Sequence, residues 1–326
     1  MGKIVIFDPA LGTRNIGDEI ISDSINREMK YLFKNNFCIR YSTHTPLIHT
    51  YQLAIIKKHV MYKTIAEAKY KFIGGSNILR YSLKGVYPGW NINLLDNIFY
   101  QGSITIGCGR NINQSKIDRY TSKIYASILN KDYIHSVRDE KTKEFLNQLG
   151  FKAINTGCAT LWKLTPEHCE NIPKYKSENV VFTLTDYNKD RINDQMLIDI
   201  LKENYKNIFF WPQGSGDYDY FKELHNTDEI KIVPPLLEEY RSFLSKYEPD
   251  YVGTRLHGGI FALQQNCRAI ILSIDERARD MNEAYNLGCI ERKEINNKLE
   301  KNINTKRDCN IKIDTDSINK WKEQFN

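Results

Sequence analysis

Paired cysteines and blocks of like charge are missing from this sequence, and no leader segment is expected from its first residues. Its seven cysteines (38, 108, 158, 169, 267, 289 and 309) are scattered, odd in number and never spaced C-x-x-C, which excludes a disulfide framework and a redox motif and leaves reduced thiols as the expectation. No group of His, Cys, Asp and Glu has zinc spacing. His44 and His49 stand five apart, a separation that does not share a helical face. No tract of five or more like charges marks a nucleic-acid arm, so nucleic acid is not an expected partner. The first residues, Met1-Gly2-Lys3-Ile4-Val5-Ile6-Phe7-Asp8, hold only four consecutive apolar side chains before an acid. That is too short for a signal-peptide core or a bilayer span. Ile6 stands where a myristoylation signal needs Ser or Thr. A cytoplasmic protein is expected.

What is present is an ordinary globular mixture. The 326 residues are 41% hydrophobic and 26% charged, with 46 basic against 40 acidic side chains and a net charge of +6. A mild excess of this size suits an anionic substrate or an acidic membrane surface without choosing between them. Short apolar runs alternate with stretches of helical periodicity. Lys3–Asp8 reads as a strand, and Ile21, Ile25, Met29 and Leu32 follow at helical spacing. The unit repeats with Phe37–Ser42 and a helical stretch from Pro46, with Tyr70–Ile73, with Ser103–Ile106 and a helix over Ser115–Leu129, and with Tyr133–Val137 and a helix from Asp139 to a cap at Gly150.

After a polar stretch with prolines at 166 and 173, the series restarts. Val180–Leu184, Ile208–Trp211, Glu229–Val233, Asp250–Gly253 and Arg268–Ile274 read as strands, with helices between them. This alternation predicts an α/β protein of two doubly wound Rossmann-like domains, 1–165 and 178–295, facing a cleft. Glu294–Asn310, rich in Asn and Lys, reads as a solvated connector. Within 296–326 a terminal helix then carries Ile318, Trp321 and Phe325 as an apolar stripe, which is expected to dock on the N-terminal half.

Ligands of open parallel sheets bind beyond the carboxyl ends of the strands, so the loops there hold the candidate residues. Gly12–Asp18 could seat a phosphate or carboxylate on backbone N–H groups with Arg14 assisting, or be a tight turn in which Asp18 caps a helix. Gly74 and Gly75 follow a strand directly and either permit close approach of the backbone to a ligand or make an ordinary βα turn, the commoner use. Arg138 could reach an anion, with Asp139 capping the next helix. In Thr254-Arg255-Leu256-His257-Gly258-Gly259, Arg255 and His257 stand two apart at a strand-to-helix junction. That pairs a bidentate anion fork with a group that moves protons near neutral pH. A buried Arg tying two loops together is the alternative. No G-x-G-x-x-G, Walker loop or G-x-S-x-G elbow is present.

Taken in order, these loops resemble the polysaccharide pyruvyl transferase family. The resemblance rests on Asn15-Ile16-Gly17-Asp18, Gly74-Gly75, Val137-Arg138-Asp139, the arginine-x-histidine element Arg255–His257, and Ile274-Asp275-Glu276-Arg277. It covers roughly residues 1 to 290. Two departures are Ser76, where many members have a third glycine, and Arg277, where they usually have Lys.

The resemblance implies a fold like that of two-domain (GT-B-like) glycosyltransferases, with the donor on the C-terminal side and the acceptor on the N-terminal side. It implies phosphoenolpyruvate as donor, a glycan or lipid-linked sugar as acceptor, and a pyruvate ketal as product. Arg255 and His257 would carry the chemistry, with Arg14, Asn15, Gly17, Asp18, Gly74, Gly75, Arg138 and Arg277 binding substrate. No metal and no organic cofactor are expected, and peripheral attachment at the inner face of the membrane would suit such an acceptor. Two alternatives remain beside it: a glycosyltransferase using a nucleotide sugar, and a non-catalytic glycan-binding subunit.

Overall fold

The computed structural model describes residues 1–326 except 48–51, 53–54, 56–57, 86–89 and 112–115. His49, much of the helical stretch expected from Pro46, and the expected helix start at Ser115 lie outside the described residues. The chain forms two compact units. One comprises Met1–Thr13, Ile21–Trp162 and Asp314–Asn326, the other Arg14–Ile20 and Lys163–Ile313.

In the first unit, β1 (Gly2–Asp8), β2 (Asn36–Ser42) and β3 (Tyr70–Gly74) precede a short β4 (Asn77–Leu79). Then come β5 (Ser103–Ile106), β6 (Gly109–Arg110), β7 (His135–Val137) and β8 (Ala153–Asn155). The main sheet has the order β2-β1-β3-β5, while β4–β6 and β7–β8 form separate parallel pairs. β1 is apolar and wholly buried from Ile4 to Phe7, as expected for a parallel strand covered on both faces. Asp139 caps the helix Glu140–Gln148 by accepting from Thr142 N at 2.7 Å. Gly150, at φ +84°, ends it as expected from the sequence.

The terminal stripe is buried in this unit. The Trp321 ring lies against Phe72 and Trp162, and Phe325 against Tyr70, Phe72 and Tyr133. Trp321 Nε1 donates to Ile134 O at 2.8 Å.

The second unit carries β9 (Asn179–Thr183), β10 (Asn207–Phe210), β11 (Lys231–Ile232), β12 (Asp250–Gly253), β13 (Ala269–Ser273) and β14 (Ile290–Glu291). All pairings are parallel, in the order β11-β10-β9-β12-β13-β14. Counting from β9, that is 3-2-1-4-5-6, the doubly wound order whose direction reverses between β9 and β12.

The expected solvated connector is corrected here. Ile295–Asn304 is a helix whose Ile295, Leu299 and Ile303 are fully buried in the core of this unit. The spacing of four and four was present in the sequence, but the surrounding Asn and Lys, all on the outer face, masked it. The polar stretch after Thr165 likewise begins as a helix, Pro166–Glu170, with Thr165 as its cap and Pro166 in the first turn.

Candidate functional site

The reversal between β9 and β12 fixes where a site can form in the second unit. Gly253, the last residue of β12, lies so close to β9 that a Cβ there would stand 2.7 Å from Thr183 N and 2.8 Å from Thr183 O. The two strand exits are then bonded together. Thr254 N donates to Thr183 O at 3.2 Å, and the Thr185 and Thr254 hydroxyls are 2.8 Å apart. Tyr251, buried beneath, donates its hydroxyl to Arg255 O at 2.6 Å. Arg255 therefore leaves β12 on a rigid path into the helix Leu256–Gln264. Gly259 lets that helix press on the sheet, since a Cβ there would meet Ile271 Cγ1 at 2.5 Å and Tyr251 Cε1 at 2.7 Å.

Arg255 is 4% exposed and its fork is occupied. Nε donates to Asp217 Oδ2 at 2.9 Å and to Leu184 O at 3.2 Å, and Nη2 donates to Asp186 Oδ1 at 2.8 Å and to Asp217 Oδ1. Burial opposes the charge, but bonds to Asp217 and the nearby Asp186 and Tyr187 hold the Arg255 pKa above the usual arginine value. Asp217 is fully buried and also accepts from Gln213 N, Gly214 N and Asp186 N. The arginine thus binds the exits of β9, β10 and β12 into one body. Gly214 has to be glycine for this, because a Cβ would overlap the Arg255 guanidinium.

The loop Arg14–Asp18 joins the same body. Asn15 pairs with Gly214 as an antiparallel bridge, Ile16 N donates to Gln213 O at 2.9 Å, and Ser215 N donates to Arg14 O at 3.0 Å. Asn15 caps the helix Ile16–Glu28 by accepting from Gly17 N at 3.0 Å, the role the sequence offered to Asp18. Asn15 Oδ1 also accepts from Gln213 Nε2 at 2.8 Å. Gln213 Oε1, at the other end of that amide, is buried with no hydrogen-bond partner.

Asp18 occupies the first helical turn, and its charge reaches Arg277. Burial again opposes the Arg277 charge, but Asp275, Tyr187 and Asp18 more than offset it and raise its pKa. Arg277 Nη2 donates to Asp275 Oδ2 at 3.2 Å and Tyr187 Oη at 3.3 Å. The exposed Tyr187 ring lies 5.1 Å from the Arg255 guanidinium carbon, so one tyrosine links both arginines. His257, 6% exposed, sits in the first turn of Leu256–Gln264. The second unit therefore gathers Arg14, Asn15, Gly17, Asp18, Arg255, His257 and Arg277 at the carboxyl edge of its sheet. Two helix N-termini and two partly exposed arginines, Arg14 and Arg277, make that edge suited to an anion.

Gly74, Gly75 and Arg138 form a different cluster, in the first unit. A Cβ on Gly75 would stand 2.6 Å from Gly107 O and 2.8 Å from Ile106 O, so glycine is required here by the neighbouring strand exit. Arg138 is buried, donates its N–H to Cys108 O at 3.0 Å, and lies 3.5 Å from Asp139 Oδ2. Its guanidinium packs on Gly109, where a Cβ would be 2.6 Å from Cζ. Among the described residues no group of three or more His, Cys, Asp or Glu side chains could hold a metal ion, and no helix is long and apolar enough to cross a membrane.

The polysaccharide pyruvyl transferase family matches residues 15–276, most of the chain and every strand of the second unit but β14. The chain belongs to that family. No curated protein sequence matches it. A solved structure described as a co-structure of S. aureus MnaA with UDP superposes with a TM-score of 0.53 at 10% identity, covering 95% of this chain and 92% of the other. At that identity the likeness is one of fold.

In this pyruvyl transferase family member, four residues of the site were not singled out from the sequence: Asp186, Tyr187, Gln213 and Asp217. The run Pro212-Gln213-Gly214-Ser215-Gly216 carried the only local signal, since glycines beside a strand end mark close approach. Asp217 had none, because its partner lies 38 positions away.

Proposed function

We propose that the protein transfers a pyruvyl group from phosphoenolpyruvate onto two hydroxyls of one sugar, in a surface polysaccharide or its lipid-linked precursor, as a cyclic ketal. The observation that carries this reading is the family match over residues 15–276, a span that contains Asn15, Gly17, Asp18, Arg255 and His257 and is flanked directly by Arg14 and Arg277. The donor brings a phosphate and a carboxylate. Arg277, Arg14 and the N-termini of Ile16–Glu28 and Leu256–Gln264 supply the complementary charge.

His257, protonated, gives its proton to the methylene carbon of the enol. The first sugar hydroxyl then adds to the resulting cationic carbon, the second displaces phosphate, and both lose their protons. One of those protons restores His257, and the other leaves with the phosphate. Arg255, committed to Asp217 and Asp186, works by holding Tyr187, Gln213 and the helix N-termini in place. No metal and no organic cofactor enter, and the enzyme acts from the cytoplasm on acceptors at the membrane face.

The test is to incubate the purified protein with phosphoenolpyruvate and candidate acceptor sugars, following phosphate release and the new ketal methyl signal by NMR. Nucleotide sugars are run in parallel. Turnover of phosphoenolpyruvate that survives exhaustive chelation is the expected result. Sugar transfer from a nucleotide donor alone would replace this reading with glycosyl transfer. Acceptor binding without turnover of either donor would make the chain a glycan-binding subunit.

A further inference from the structure

The second unit holds a cavity of about 240 Å³ at the edge of its sheet opposite to the gathered loops. It is lined where β13 begins, by Arg268 and Ala269, and by the return segment Arg307–Ile311, with Leu263, Ile172 and Leu287 as an apolar wall. Two guanidinium groups face it. Arg268 is 2% exposed; its Nη2 donates to Ile303 O at 2.7 Å and lies 3.3 Å from Asp250 Oδ2. Its Nε and Nη1 are buried with no hydrogen-bond partner. Arg307 donates from Nη1 to Asn302 Oδ1 at 2.8 Å and from Nη2 to Gly288 O. Burial and the neighbouring Arg268 charge lower the Arg307 pKa.

Asp250, as buried as Arg268, is the acid paired with it, but its carboxylate is shared with other donors. Asp250 also accepts from Tyr205 Oη at 2.7 Å and Ser177 N at 3.3 Å. Asp308 is paired with Lys174 at 2.9 Å and Lys306 at 3.6 Å. A buried guanidinium with two unmet donors, Arg268, beside a small cavity and within reach of the Arg307 charge is costly in the absence of a further acceptor. A planar fork with free N–H groups matches an oxyanion of phosphate geometry.

We propose that this cavity binds a small phosphate-bearing molecule, its phosphate held between Arg268 and Arg307 and the rest of it against the apolar wall. This site is separate from the proposed donor site, and its existence does not depend on the reaction.

Cys309 lines the cavity and is partly exposed; Cys169 and burial push its thiol pKa up, so its alkylation is slow and is followed over a long time course as the report of occupancy. The intact protein is treated with iodoacetamide at mildly alkaline pH, with rising inorganic phosphate or glycerol phosphate, and alkylation of Cys309 and Cys38 is followed by peptide mass spectrometry. Cys38, partly exposed in the first unit, is the internal reference. Saturable protection of Cys309 by about fivefold or more, with Cys38 unchanged, is the expected result. Protection at lower concentration by glycerol phosphate identifies an ester as the ligand, and by inorganic phosphate the free ion. Arg307→Gln removes the protection, and Arg277→Gln, in the proposed donor site, keeps it. An unchanged Cys309 rate through millimolar phosphate, or equal slowing of Cys38, overturns the proposal. Should Arg307→Gln not fold, the wild-type comparison of Cys309 with Cys38 decides alone.

Discussion

Arg255 Nε donates to Asp217 Oδ2 at 2.9 Å, with Asp217 fully buried and Arg255 nearly so. Removing one partner of such a pair leaves an uncompensated buried charge. Asp217→Ala and Arg255→Ala are each expected to lose about 3–5 kcal/mol of stability. Arg255→Lys is expected to lose a comparable share, since an ammonium cannot meet Asp217 and Asp186 from one plane. The double variant Arg255→Ala/Asp217→Ala is expected to lose less than the sum of the two single Ala changes. Guanidinium denaturation of wild type, the two Ala variants and the double variant measures the coupling.

His257→Gln tests the chemistry rather than the frame. Turnover of phosphoenolpyruvate per folded molecule is expected to fall by about 10²–10⁴, with the thermal midpoint close to wild type. Wild-type turnover in this variant would remove the histidine from the mechanism.

A histidine outside the site, His135, lies in β7 of the first unit. Its Nδ1 accepts from Thr105 N at 3.2 Å and its Nε2 donates to Asn130 O at 2.8 Å, which fixes the neutral tautomer. Burial lowers its pKa from 6.5 to about 4, against the smaller opposing effect of the Asn130 carbonyl. Because the folded value is the lower one, the unfolded chain binds more protons between the two. Stability is therefore full above pH 6.5 and declines as pH falls toward 4, by about 3 kcal/mol for this group. Urea titrations at stepped pH, compared with a His135→Gln variant, are expected to show this part of the slope disappear.

Trp321→Ala is expected to cost about 3–5 kcal/mol, as for other large buried aromatics. Its ring is fully buried in the first unit and its indole N–H is bonded to Ile134 O. Trp321→Phe is expected to retain most of that stability. Thermal melts of both variants check the ordering.

The alternation of strands and helices was legible because runs such as Ile4–Phe7 and Val180–Phe182 are buried on both faces and so are continuous in apolar residues. Caps were legible where side chain and helix are neighbours in sequence, as at Asp139 and Gly150. Strand order was not, because no residue of β9 encodes that β12 will lie beside it. The same limit hid the partner of Arg255, since the bond to Asp217 joins two loops through the sheet. Asn15 was recognised as part of the loop but not as its cap, because Asn15 and Asp18 are both cap-forming types and only backbone geometry separates them. The helix Ile295–Asn304 was obscured by composition, its three buried residues being outnumbered by Asn and Lys.

The terminal helix also bears on how the chain is made. Trp321 and Phe325 complete an aromatic cluster with Tyr70, Phe72 and Tyr133, and 314–326 belongs to the unit built mainly from 1–162. On a ribosome, the segment that begins this unit emerges long before the helix that closes it. The intervening 163–313, self-contained save for 14–20, is synthesised while the Phe72 face still awaits its cover. Early-made residues are thus the last to be sealed, and in that interval the open aromatic surface is what a chaperone, or an aggregating neighbour, would meet.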